Sequence, residues 1–146
     1  MPTDIEAALR DPRVLWTEDV LRFADTDANG HVNNTTFSVL CESGRVHWLA
    51  VRINPTLLVN LLFVIARLAI DFRAELRYPG AARTGTWASR IGRSSLVFEQ
   101  IILSDGRVAA TSEAVCVLMD AASRRSAAFP DEMRRTIEAL IHVPGP

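Results

Sequence analysis

The sequence predicts an α+β fold, a five-stranded antiparallel sheet with one face packed on a single long helix. Three observations carry that reading. Apolar residues recur at three-to-four spacing after Thr35, the period of a helix face. From Ile65 the period changes to two, the signature of strands that face a core on one side. Turn signals then punctuate the rest of the chain, at Pro79-Gly80, Gly92-Arg93-Ser94 and Ser104-Asp105-Gly106.

Each element follows in order. Residues 4–10 suit a short helical turn that Asp11-Pro12 ends. Residues 16–24 read as a first strand. The long helix runs from Thr35 to about Val51, with Asn33 or Asn34 as cap, and its apolar surface suggests burial on most sides. Gly44 lies inside the apolar face, which points to close approach of another backbone. Glu42 and Arg45, three apart, suit a helix-surface ion pair. Residues 52–62 form a connection, and the apolar Leu57, Leu58, Leu61, Leu62 and Phe63 suit an interface or the lining of a pocket. A long strand covers 65–78, with Ala66, Leu68, Ile70, Phe72, Ala74, Leu76 and Tyr78 on its core side. Strands at 83–91, 95–103 and 107–119 complete an antiparallel meander of four. Pro130-Asp131-Glu132 opens a last amphipathic helix. The whole, residues 1–146, reads as one domain of ordinary size.

Composition excludes several classes. Acidic and basic residues number 17 and 16 without long runs, so no nucleic-acid footprint is present. All the basic residues are arginine. The apolar stretch Leu57–Ile70 is too short to span a bilayer and holds Asn60 and Arg67. Met1 to Glu6 lacks the basic and apolar regions of a signal peptide. Cys41 and Cys116 sit in apolar settings, which suggests buried thiols in a reducing, cytoplasmic compartment. Two cysteines and three histidines show no metal-ligand spacing.

The densest chemistry lies in Asp25-Thr26-Asp27-Ala28-Asn29-Gly30-His31-Val32-Asn33-Asn34, between the first strand and the long helix. Asp27 is a candidate base or nucleophile, Asn29 and His31 are candidates to orient carbonyl or water, and Gly30 gives backbone freedom for close approach. Asp27 also suits a turn, and Asn29 an Asx-turn. Backbone N–H groups of residues 33–36, at a helix start, are candidate donors to an oxyanion. Arg90, Arg93, Ser94 and Ser95 cluster at a hairpin and suit phosphate groups.

The segment from Arg22 to Asn34, followed by Phe37 and Glu42-Ser43-Gly44-Arg45, resembles the hotdog-fold acyl-CoA thioesterases, in particular the broad 4-hydroxybenzoyl-CoA thioesterase family. The spacing of Asp27, Asn29 and His31 is also similar to the acyl-carrier-protein thioesterases of plants, and that resemblance implies Glu42 as a candidate second carboxylate. Glu75 to Gly80 and Ile91 to Ser95 occupy the strand-end and turn positions of that family. The resemblance implies a sheet wrapped around the helix and hydrolysis of an acyl-CoA thioester by Asp27 with Asn29 and His31. It implies no cofactor, since coenzyme A enters as part of the substrate. It implies a homodimer or homotetramer with sites at the dimer interface. A non-catalytic acyl-CoA or acyl-carrier binding protein on the same fold is the alternative.

Overall fold

The computed structural model describes residues 5–142; Met1 to Asp4, in the segment read for a signal peptide, lie outside the described residues, as does residue 4 of the first predicted turn. Its elements are α1 (Ile5–Arg10), β1 (Leu15–Val20), a 3-10 turn (Phe23–Asp25), α2 (Asn34–Arg52), a second 3-10 turn (Pro55–Leu58), β2 (Leu61–Phe72), β3 (Ala81–Ile91), β4 (Ser95–Ser104), β5 (Arg107–Asp120) and α3 (Asp131–Leu140). The five strands make one antiparallel sheet, and α2 packs on its inner face, the arrangement of the hotdog fold.

Strand order departs from the predicted meander. It is β1-β3-β4-β5-β2. Only β3, β4 and β5 follow one another as hairpins. The β4–β5 turn is a two-residue one, with Asp105 and Gly106 both in the left-handed region at φ 51° and 73°. By contrast, the chain between β2 and β3 runs from 73 to 80 with no strand, too long for a tight hairpin, so β2 pairs β5 instead. That leaves β2 as an outer strand of the sheet.

Boundaries shift for local reasons. The first strand stops at Val20, because the Asp25 carboxylate accepts from Arg22 N–H at 2.8 Å and folds the chain into the 3-10 turn. β2 begins at Leu61 rather than after a connection, and ends at Phe72 rather than Tyr78. A bulge between Ile65 and Arg67 breaks the strict alternation, and Ala66 is exposed instead of core-facing. Leu57, Leu58, Leu61 and Phe63 pack on the core cluster of Trp48, Phe98, Met133 and Ile137.

Helix α2 starts at Asn34, with Asn33 as cap: its side chain accepts from Thr35 N–H at 3.0 Å. Gly44 is closely approached by side chains, not by the second backbone that the sequence suggested. A Cβ there would lie 2.6 Å from Thr86 Oγ1 and 2.8 Å from Gln100 Nε2. The helix is less enclosed than expected, since Glu42, Ser43, Val46, His47, Ala50 and Val51 are exposed. The ion pair read between Glu42 and Arg45 does not form. Arg45 turns inward, 6% exposed, and its Nη1 donates to Gln100 Oε1 at 3.1 Å. Gln100 in turn donates to Cys41 O at 2.8 Å and Thr86 Oγ1 at 2.9 Å. Both cysteines are buried free thiols, and burial raises the titration of each.

On the outer face of the sheet, α1 covers Trp87, Ile101 and Leu103 through Ala8. The segment after α1 is clasped to the chain end: Arg13 donates to Asp11 at 2.6 Å and to Ile141 O at 3.1 Å, and His142 Nδ1 lies 2.9 Å from Asp11. Among the described residues, no helix is long and apolar enough to cross a membrane.

Candidate functional site

The polar decapeptide forms a folded loop between the 3-10 turn and α2, and its backbone bonds explain its shape. Asp27 N–H donates to His31 O at 3.0 Å and Gly30 N–H to Asp27 O at 3.1 Å. Gly30 takes φ +82°, a conformation that a side chain would strain. The Asp27 carboxylate accepts Asn29 N–H at 2.8 Å, an Asx-turn. Val32, 2% exposed, anchors the loop, with its N–H on Leu76 O at 2.9 Å. Asn33 N–H then reaches Asp25 O at 2.8 Å and hands the chain to α2.

This folding brings Asp27, Asn29 and His31 to one side of an open cleft of about 480 Å³. Phe72, Arg73, Ala74 and Glu75 form the other side, Val32 and Phe37 its apolar part, and Asn34 its edge at the helix start. Phe37 and Phe72 meet edge to face with centroids 5.0 Å apart. His31 has an oxygen near each ring nitrogen. Its Nδ1 lies 3.4 Å from Val32 O, and its Nε2 lies 3.7 Å from Glu75 Oε1. Arg77 Nη2 grips the other oxygen of Glu75 at 2.7 Å.

The loop's second carboxylate, Asp25, points elsewhere. Hydrogen bonds from the Arg22 side chain and N–H hold its titration below the ordinary range. It is a structural clamp for the 3-10 turn. The expected set of oxyanion donors shrinks for a similar reason. The N–H groups of residues 33, 35 and 36 are taken by Asp25 O, Asn33 Oδ1 and Asn33 O. Asn34 is the first helical residue, so its N–H has no intrahelical acceptor, and the residue lines the same cleft as Asp27.

Arg90, Arg93, Ser94 and Ser95 lie elsewhere in the chain. They occupy the end of β3, the β3–β4 turn and the start of β4, where Arg93 O accepts Phe129 N–H at 3.1 Å and Ser94 O accepts Leu118 N–H at 2.7 Å. Ala81, near the loop end of the sheet, and Arg90 are nine strand residues apart, roughly 30 Å at ~3.3 Å per residue. Within one chain these four line no part of the cleft. Glu42 lies outside it as well.

Sequence reasoning missed Glu75, Arg73 and Phe72 as cleft residues. Periodicity placed Glu75 on the water side of a long strand. The strand ends at Phe72, and the freed chain turns Glu75 toward His31. The charge-dense run Arg73-Ala74-Glu75-Leu76-Arg77 before Pro79-Gly80 was the available signal. Among the described residues, no group of three or more His, Cys, Asp or Glu side chains is placed to hold a metal ion.

A family model described as the thioesterase-like superfamily matches residues 21–137. A thioesterase from Thermus thermophilus, solved with coenzyme A and Zn, is 30% identical with a TM-score of 0.78, covering 91% of this chain and 97% of that one. A predicted thioesterase from Bacillus stearothermophilus is 28% identical with a TM-score of 0.83, covering 90% and 99%. A thioesterase-superfamily structure from Jannaschia sp. CCS1 has a TM-score of 0.84 over 92% and 97% of the two chains, at 21% identity, and so speaks for the fold alone. No curated protein matches the chain.

Proposed function

The chain belongs to the thioesterase-like superfamily, and on that premise we propose that it hydrolyses acyl-CoA thioesters in the loop–helix cleft, with Asp27 as general base. The observation that carries this reading is the convergence of Asp27, Asn29 and His31 on one cleft at the start of α2. A second support is the Thermus thermophilus thioesterase, solved with coenzyme A.

The chemistry follows from the groups present. One Asp27 oxygen is committed to Asn29 N–H; the other takes a proton from water. The resulting hydroxide attacks the thioester carbon, and the carbonyl electrons move to oxygen. Asn34 N–H and the positive end of α2 stabilise that oxyanion. Collapse expels the coenzyme A thiolate, which recovers a proton from the site, and the acid leaves. Asn29 and His31 orient the carbonyl and water. Glu75, gripped by Arg77, is a positioning residue for His31 and fixes the direction of its ring. Hydrolysis of this kind uses no cofactor.

Further parts of the reading rest on the same base. The described residues, 5–142, are read as one domain built on a single sheet. The unpaired edge of β2 favours a homodimer or a homotetramer. The buried free thiols of Cys41 and Cys116 suit a reducing, cytoplasmic setting.

Thiol release from a panel of acyl-CoAs, run beside Asp27→Asn, tests the proposal. The variant is expected to keep its circular dichroism spectrum and melting point and to lose turnover about 10²–10⁴-fold. Unchanged turnover removes Asp27 from the mechanism. Saturable binding with no thiol release at any chain length replaces the enzyme with a non-catalytic acyl-CoA-binding protein.

A further inference from the structure

The bend after β2 puts a cation without an anion into the cleft. Arg73 and Ala74 both donate their backbone N–H to Ala109 O, at 2.8 and 3.1 Å, where the chain leaves the strand just past Phe72. Phe72, Arg73, Ala74 and Glu75 then line the cleft in succession. Arg73 is exposed, and among the described residues its guanidinium makes neither a hydrogen bond nor an ion pair. The arginines before and after it in the chain, Arg67 and Arg77, each hold a carboxylate at 2.7 Å.

The acids near Arg73 are otherwise placed. Glu75 is gripped by Arg77, and its other oxygen lies 3.7 Å from His31 Nε2. Asp27 accepts Asn29 N–H at 2.8 Å. Asp71 lies outside the cleft lining. Beside this unmatched cation the cleft has an apolar part. Val32 and Phe37 are buried there, and Phe72, 54% exposed, meets Phe37 edge to face. An acyl chain that ends in a methyl group uses the apolar part and leaves the guanidinium idle. A chain that ends in a carboxylate uses both, because a guanidinium fork and a carboxylate match in two parallel hydrogen bonds. A volume of about 480 Å³ falls in the range of small-molecule sites. The phosphates of coenzyme A are the rival anion, but they stand at the far end of the pantetheine arm from the sulfur. Arg73 lines the same cleft as Asp27, so the acyl end of the substrate is the nearer source of negative charge.

We propose that Arg73 binds a carboxylate at the far end of the acyl group, so that the preferred substrates are ω-carboxyacyl thioesters. The proposal rests on the acyl-CoA reading above. A second negative charge brought near Asp27 is repelled, and the guanidinium offsets that repulsion.

The test is thiol release from matched pairs, glutaryl-CoA beside pentanoyl-CoA and adipoyl-CoA beside hexanoyl-CoA. The wild-type protein is expected to favour the carboxylated member about tenfold or more in kcat/KM. Arg73→Ala is expected to lose about tenfold more on that member than on its methyl-ended counterpart, mainly through KM, close to 1.4 kcal/mol. Arg73→Glu is expected to invert the preference. The side chain is exposed, and circular dichroism checks that both variants fold. Pantetheine thioesters of the same acids separate the two anions. The same preference and the same loss on these thioesters support the acyl carboxylate. A loss confined to the coenzyme A thioesters, and equal within each pair, gives Arg73 to the carrier phosphates and overturns the proposal. Absence of a wild-type preference, or an equal loss on every substrate, overturns it as well. If no thioester is hydrolysed, the thioesterase reading falls and calorimetry decides the site separately. A Kd about tenfold tighter for adipoyl-CoA than for hexanoyl-CoA, levelled by Arg73→Ala, upholds it, and equal Kd values overturn it.

Discussion

Asp27 carries two demands in one side chain. Its carboxylate closes the Asx-turn on Asn29 N–H, and it also faces the cleft. Asparagine keeps the first role, because its carbonyl oxygen accepts the same N–H, and loses the second. The Asp27→Asn comparison therefore separates loop shape from chemistry. His31 and Glu75 make a second residue-scale prediction. Glu75→Gln is expected to leave stability within about 0.5 kcal/mol, as the pair is half-exposed, and to reshape the pH profile of kcat/KM. An unchanged profile denies Glu75 its positioning role. A third concerns Asp11, whose carboxyl is held well below the usual range, chiefly by hydrogen bonding to Arg13 and with His142 contributing. A depressed carboxyl stabilises the fold above the unfolded value near ~4 and loses that stabilisation as pH falls through the lower folded value. Asp11→Asn is expected to cost about 1–2 kcal/mol at neutral pH, with the gap to wild type closing in acid. Urea melts across pH check this; a gap that widens in acid contradicts it.

Among elements, α2 depends on its contact at Gly44 and its cap at Asn33. A methyl at position 44 would meet Thr86 and Gln100, both buried in the hydrogen-bonded group around Arg45. Overpacking there is expected to cost about 1–3 kcal/mol in Gly44→Ala, against a helix-propensity gain of about 1. A net rise in melting temperature would show that the sheet yields. Asn33→Ala removes the cap and is expected to cost about 1 kcal/mol. It also loosens the step from the loop into α2, so turnover should fall along with stability. The element scale is where the sequence was most legible. Helical spacing located α2 and strand alternation located β4 and β5, since both periods follow from backbone geometry alone. Asp105-Gly106 announced a hairpin because both positions need φ above zero. β2 was misread where its bulge and early end broke the period.

At the scale of the whole molecule, the cleft and the hairpin that the sequence offered for phosphate groups lie at different ends of the sheet. Within a single chain, the proposed thioester cleft and the four residues of that hairpin are therefore too far apart to meet one ligand end. The proposed association runs along β2. Ile65→Lys puts a charge beside the exposed bulge at the middle of the edge and is expected to shift the protein toward monomer in sedimentation velocity. Persistence of the native oligomer would move the interface off β2.

Local pattern was enough for the α+β class, the long capped helix, the hairpins and the loop with Asp27, Asn29 and His31 side by side. Those features rest on periodicity, caps and turn chemistry, which neighbouring residues settle among themselves. Folding in three dimensions was needed to put β2 beyond β5, to turn Arg45 inward to Gln100, and to set Glu75 against His31. It was also what separated Arg90 and Arg93 from the cleft of their own chain. Those outcomes depend on which distant segments pair and on which buried groups find partners. No short stretch of residues encodes that choice, because it is settled by energies summed over the whole fold.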